Sequence, residues 1–199
     1  MYTLDRATFT TKNMAKISIL AVISMVLMIF DISTWFAPPF LKIDLGDLPA
    51  LIGAFAMGPM AGILIQLVKN ILHLLVEGSM TGGEGELSNF LAGSIFASSA
   101  GFIYHRDKTF KTALIGLLIG VLAMTFFASL SNYFVVFPLY AKLMPLDQII
   151  EMTAAVNSRV VDYKSLILYA IVPFNLLKGS IVSAATILIY KRISPILKK

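Results

Sequence analysis

The run Pro173-Phe174-Asn175-Leu176-Leu177-Lys178-Gly179 lies inside an otherwise apolar stretch from Ser165 to Tyr190. A stretch of that length and character reads as a membrane-spanning helix. It carries a carboxamide and an ammonium three residues apart, which places them on one helical face. A lysine near the bilayer centre costs roughly 3 kcal/mol, so an ionisable group retained there points to function. Asn132 repeats the anomaly in the preceding apolar stretch, Thr112–Tyr140. At 1.5 Å per residue, Asn132 sits about 12 Å below the outer end of its helix and Asn175 about 15 Å below the outer end of its own. Two amides at similar depth, with an amine on the face of one of them, supply donors and acceptors that suit the imide edge of a planar heterocycle, with Phe and Tyr neighbours to pack on its faces. The same groups also serve as glue between helices with no ligand at all, and these residues by themselves leave both readings open.

Working outward, the composition agrees with a membrane setting. The 199-residue chain is 58% hydrophobic and 14% charged, far from the charge content of a soluble domain. No long polar segment could form a separate soluble domain, so residues 1–199 are expected to be one membrane domain. The first apolar run, about Ile17 to Phe36, is too long for a signal-peptide core and no A-x-A-like cleavage site follows it, so it is read as a first span. Cysteine is absent, which removes disulfides, thiolate metal sites and cysteine nucleophiles from consideration.

Apolar runs predict six helical segments: Ala15–Phe36, Leu48–Met57, Ala61–Val76, Leu87–Tyr104, Thr112–Tyr140 and Ser165–Tyr190. The second is too short to cross a hydrocarbon core about 30 Å thick, and protein contacts must shelter it. The net charge of +5 is unevenly spread. With the N-terminus inside, the inner side collects Arg6, Lys12, Lys16, Arg106, Lys108, Lys111, Lys191, Arg192, Lys198 and Lys199, while most acidic residues fall outside. The positive-inside rule then places both termini in the cytoplasm. The charge reflects topology, and no nucleic-acid surface is expected.

Other polar positions have plainer readings. Gln66, Lys69, Asn70, His73 and Glu77 recur at helical spacing. They form either a proton path ending in His73 and Glu77, or a face packed on protein with Lys69 paired to a carboxylate. Asp31 is expected to pair or to reach interfacial water. Ala15, Ser18, Ala21 and Ser24 form a ladder of small residues permitting close helix approach. His73 and His105 fall on opposite sides of the membrane, so no metal site is expected. There is no G-x-x-x-x-G-K-[ST], G-x-S-x-G or H-E-x-x-H, which argues against an enzyme and against direct use of ATP by a P-loop.

Several segments are distinctive in combination: Phe40-Leu41-Lys42-Ile43-Asp44-Leu45-Gly46-Asp47-Leu48-Pro49, Gly53-Ala54-Phe55-Ala56-Met57-Gly58-Pro59, Lys69-Asn70, Gly82-Gly83-Glu84-Gly85-Glu86-Leu87-Ser88-Asn89-Phe90, Asn132-Tyr133-Phe134 and Pro173 to Gly179. With these the chain, from about Ala15 to Pro195, resembles the riboflavin-specific S-components of energy-coupling factor transporters. The resemblance implies an all-α, six-helix membrane bundle that captures riboflavin, or FMN, outside the cell. Delivery would require a transmembrane coupling subunit and two cytoplasmic ATPase subunits, and the flavin would be cargo rather than cofactor. It further implies that Asn132, Asn175 and Lys178 meet the polar edge of the ring. Leu41, Asp44 and Leu45 of the first outer loop, and Thr81, Gly83 and Glu84 of the glycine-rich loop, would close over the ligand. One departure stands out: the family's alanine-x-x-x-alanine docking pattern is not met, since Ile19 follows Ala15 and Met25 follows Ala21 at that spacing. The rival reading is a stand-alone proton-coupled secondary transporter of a small heterocyclic nutrient.

Overall fold

The computed structural model describes residues 10–79, 82–142 and 144–197. The chain folds as α1 (Thr11–Ile29), β1 (Ile32–Ser33), β2 (Lys42–Ile43), α2 (Asp47–Met57), α3 (Pro59–Val76), α4 (Glu84–Asp107), α5 (Phe110–Tyr140), α6 (Leu146–Ala154) and α7 (Tyr163–Tyr190), whose helix continues to Leu197. Among the described residues, α1, α3, α4, α5 and α7 are long and apolar enough to cross a membrane, and α2 is a shorter apolar helix. At 11 residues α2 spans only about 16 Å. It packs against α1, α3, α4 and α7, so protein rather than lipid shelters it.

Local sequence explains most boundaries. Gly58, at φ 107°, makes the joint between α2 and α3, and Pro59 opens α3 where its missing N–H is harmless. Thr109 and Thr112 form a reciprocal cap at the start of α5. Asp162 and Ser165 do the same for α7. The first helix ends at Ile29 rather than near Phe36, because the chain beyond it turns into a short antiparallel pair, Ile32 opposite Ile43 and Ser33 opposite Lys42. That pair folds residues 34–41 into a hairpin-like flap. The amphipathic α6, with Ile149 and Thr153 buried, falls between the fifth and sixth apolar runs, where hydropathy alone predicts no helix.

The helices pack closely where glycine permits. A Cβ on Gly116 would stand 2.7 Å from the Ala100 carbonyl, so α4 and α5 touch backbone to backbone there. The small-residue ladder of α1 divides: Ala21 and Ser24 are buried inside this chain, while Ala15 and Ser18 are exposed. Ser24 donates its hydroxyl to the Gly46 carbonyl. Two apolar cores result. The larger holds Ile17, Leu51, Phe55, Ile65, Phe96 and Tyr104. The smaller, at the end away from the termini, joins Ala37 of the flap to Phe137, Tyr140, Ile149, Leu166 and Ile171.

Both long C-terminal spans contain a wide turn followed by proline. In α5 the turn covers Asn132–Val136, with the Phe137 N–H reaching back five residues to the Asn132 carbonyl. In α7 it covers Ile167–Ile171, with Val172 N–H on the Ile167 carbonyl. Pro138 and Pro173 come next and bring no N–H. The Tyr133 carbonyl, passed over by Phe137 and facing Pro138, is met instead by the Tyr163 hydroxyl at 2.5 Å. That hydroxyl also lies 3.2 Å from the Asn132 carbonyl, and the Tyr163 ring stacks on Tyr133 at 4.7 Å. Such π turns are rare and recur at functional sites.

Candidate functional site

The wide turns flank a cleft between the two cores. It is a slot with about 730 Å³ of unfilled space, its mouth included. Leu41, Asn132, Asn175 and Lys178 all line it. The sequence placed the two amides at similar depth and Lys178 on the face of Asn175, and the fold brings all three to one cavity. Phe40, Phe137, Tyr140 and Phe174 supply aromatic walls, with Phe40 stacked on Tyr140 at 5.1 Å. Phe40 comes from the flap, so the flap forms part of the wall.

The amides are oriented by their own helices. Asn132 Nδ2 donates to the Ala128 carbonyl at 2.8 Å, and Asn175 Nδ2 donates to the Ile171 carbonyl at 2.9 Å. A carbonyl oxygen only accepts, so these contacts fix which end of each amide is nitrogen. Each Oδ1 is left as an acceptor for the cleft. Each back-bond uses one amide proton, and the second Nδ2 contact of Asn132 is to Ser88 Oγ at 3.5 Å.

Beneath the slot lies a buried ionic network that the sequence did not show as a unit. Lys178 Nζ is 2.9 Å from Asp44 Oδ2 and 3.5 Å from Asp47 Oδ2. Lys69 Nζ is 2.8 Å from Asp47 Oδ1, which also accepts from Gln66 Nε2 at 2.8 Å. Asp44 Oδ1 accepts the Gly46 N–H at 2.7 Å. Lys69 is fully buried and Asp47 nearly so. Two carboxylates balance two ammoniums, and this neutrality is what permits four ionised groups in a low-dielectric interior. Lys69 reaches Asn89 Oδ1 as well, at 3.3 Å, tying the network to the start of α4.

The remaining expected residues fall elsewhere. Asp44 does not line the slot; it is the partner of Lys178. Leu45 packs against the larger core. Gly83, at φ 97°, precedes α4, and its N–H is held by the Ser79 hydroxyl at 2.9 Å. Glu84 sits in the first turn of α4, outside the slot lining. Thr81 lies outside the described residues. On the polar face of α3, Lys69 has the carboxylate partner the plainer reading called for, and His73 Nδ1 faces Glu86 of α4 at 3.3 Å. Asp31 pairs with Lys42 at 2.9 Å, at the mouth. Ser88 and Asn89 also line the slot; their place in a distinctive segment was the one signal available for them.

The family model described as "ECF transporter, substrate-specific component" matches residues 12–190. The riboflavin transporter RibU of Staphylococcus aureus (strain TCH60) is 37% identical over 188 residues, covering 94% of this chain and 93% of that protein. The riboflavin transporter FmnP of Bacillus subtilis (strain 168) is 32% identical over 185 residues, covering 92% and 93%. A solved structure of the S component of a bacterial ECF transporter superposes with TM-score 0.74 at 35% identity, covering 94% of this chain and 98% of that one. With its apolar helices and its match along nearly the whole sequence, the chain belongs to the substrate-specific components of energy-coupling factor (ECF) transporters, multi-pass proteins of the cell membrane.

Proposed function

We propose that this chain captures riboflavin in the slot between α5 and α7 and passes it inward as cargo. What carries the reading is the pairing of two free carboxamide oxygens with an ammonium along one aromatic-walled cleft. The flavin imide N–H would donate to an Asn132 or Asn175 Oδ1, and a flanking carbonyl would accept the third proton of Lys178. Phe137 and Phe174 would contact the ring faces, and Leu41 with Phe40 would cover the ring from the flap. Leaving these polar groups unmatched penalises a ligand that lacks the edge. The names of the relatives from Staphylococcus and Bacillus support riboflavin in particular. Lys42 at the mouth is already neutralised by Asp31, which favours riboflavin over its phosphate, FMN.

The remaining features complete the proposal. The six-helix bundle counts α2 as the sixth member beside the five spans, and the basic residues set both termini in the cytoplasm. The slot then opens outward. Asp44 acts through Lys178, and Gly83 and Glu84 directly precede Gly85 of the slot wall. A coupling subunit and two ATPase subunits would supply the energy that reorients the protein, consistent with the absence of a P-loop here. Titration of the purified protein with riboflavin, followed by quenching of flavin fluorescence, tests the proposal. Saturable quenching at or below micromolar ligand is expected, with Asn175→Ala weakening it tenfold or more, about 1.4 kcal/mol. No quenching in the parent protein, or equal affinity in the variant, would remove the assignment.

A further inference from the structure

Asn157 lies in the linker between α6 and α7 and uses its whole side chain to join three segments. Its Nδ2 donates to the Tyr169 carbonyl at 3.0 Å and to the Phe36 carbonyl at 3.2 Å. Its Oδ1 accepts the Arg159 N–H at 3.3 Å. The N–H of Arg159 only donates and the two carbonyls only accept, so the amide has one orientation and both of its protons are engaged. The backbone beneath is pinned as well, with Asn157 N–H on the Thr153 carbonyl at 2.8 Å.

Each partner has a reason to need it. Tyr169 is four residues before Pro173, which has no N–H to return to that carbonyl. In a membrane-embedded helix an orphan carbonyl is expensive, and a neighbouring side chain is one of the ways to satisfy it. Phe36 belongs to the flap, four residues before Phe40 in the slot wall. The carbonyl exposed by the proline of α7 and the carbonyl of the flap are therefore tied to one amide.

We propose that Asn157 is a positioning residue for ligand retention: it fastens the flap to the proline-interrupted turn of α7, and so sets how closely Phe40 and Leu41 lie over the slot. This rests on the riboflavin reading for its binding measurement, but not for its structural one. Asn157→Asp keeps the acceptor for Arg159 and replaces both donor protons with a charged oxygen facing two carbonyls. The chain has no cysteine, so spin labels placed at Trp35→Cys in the flap and Val161→Cys in the linker, both exposed, read the flap-to-linker distance without interference. In the ligand-free protein, double electron–electron resonance should give one narrow distance in the parent and a distribution at least twice as broad in Asn157→Asp. Stopped-flow release of riboflavin should accelerate at least tenfold in the variant, with association changed less than threefold. Asn157→Ser, with one donor for two carbonyls, should move both readouts the same way by less. An unchanged distance distribution overturns the fastening, whatever the release rate. A broadened distribution with unchanged release overturns the role in retention. If the parent binds no riboflavin, the function proposed above fails and the distance measurement alone decides for or against the fastening.

Discussion

Replacing Lys178 with Met separates what the ammonium does for the fold from what it does for the ligand. The side chain is 7% exposed and stands between Asp44 at 2.9 Å and Asp47 at 3.5 Å. Removing it leaves the network with one uncompensated negative charge. Asp47 keeps Lys69 and Gln66, so the deficit falls on Asp44, which retains only the Gly46 N–H. Breaking a buried pair by deleting one partner costs about 3–5 kcal/mol. The surviving contacts put Lys178→Met at the lower end, about 3 kcal/mol. The double variant Lys178→Met with Asp44→Asn restores neutrality and should recover most of that loss. Riboflavin binding should not recover, because the charged donor to the flavin carbonyl is still missing; such a hydrogen bond is worth about 1.5–3 kcal/mol, or roughly ten- to hundredfold in Kd. Thermal midpoints in detergent and fluorescence titration measure the two effects on the same samples. The reasoning fails if the double variant is as unstable as the single one, or if it binds riboflavin like the parent.

Other outcomes follow from single contacts. Tyr163→Phe strips the cap from the Tyr133 carbonyl, a half-buried group that Pro138 cannot serve, and should destabilise the protein by about 1 kcal/mol in the same thermal assay. Gly116→Val should cost at least as much, about 1–3 kcal/mol, because its Cβ alone would lie 2.7 Å from the Ala100 carbonyl; expression and midpoint should both fall, whereas a substitution at exposed Leu118 should leave them unchanged. Asp162 caps α7 through the Ser165 N–H at 2.7 Å, and the hydrogen bonds from Ser165 hold its carboxyl below the ordinary range. A depressed carboxylate stabilises the fold above its unfolded value, about 3.9, and that contribution is lost as pH falls through the folded value. The midpoint difference between parent and Asp162→Asn should therefore shrink on acidification below about pH 4.

Much of the design was legible because the membrane makes polarity conspicuous. Asn132, Asn175 and Lys178 stood out against apolar runs, and residue counting alone put the two amides at similar depth and Lys178 on the face of Asn175. The span positions were legible for the same reason, and Gly58-Pro59 marked its turn by dihedral preference. The flap strands were not, since two-residue strands have no periodicity to detect. The helix α6 was missed because it is short and amphipathic in a segment scanned for continuous apolar character. Asp44 read as a ligand contact from its place in a distinctive segment, yet the structure gives it to Lys178.

By itself the sequence determined that this is a membrane bundle with a polar site near one face, because burying each of those groups in hydrocarbon carries a penalty that local pattern already records. Only the tertiary structure decided which charges neutralise which. Asp44 and Lys178 are 134 residues apart, and Asp47 and Lys69 are 22 apart. Ion pairing depends on distances of a few ångströms between helices, and no one-dimensional spacing encodes them. The same holds for the carbonyls exposed by Pro138 and Pro173: the prolines are plain in the sequence, but Tyr163 and Asn157 reach those carbonyls only once the linker has folded against both spans.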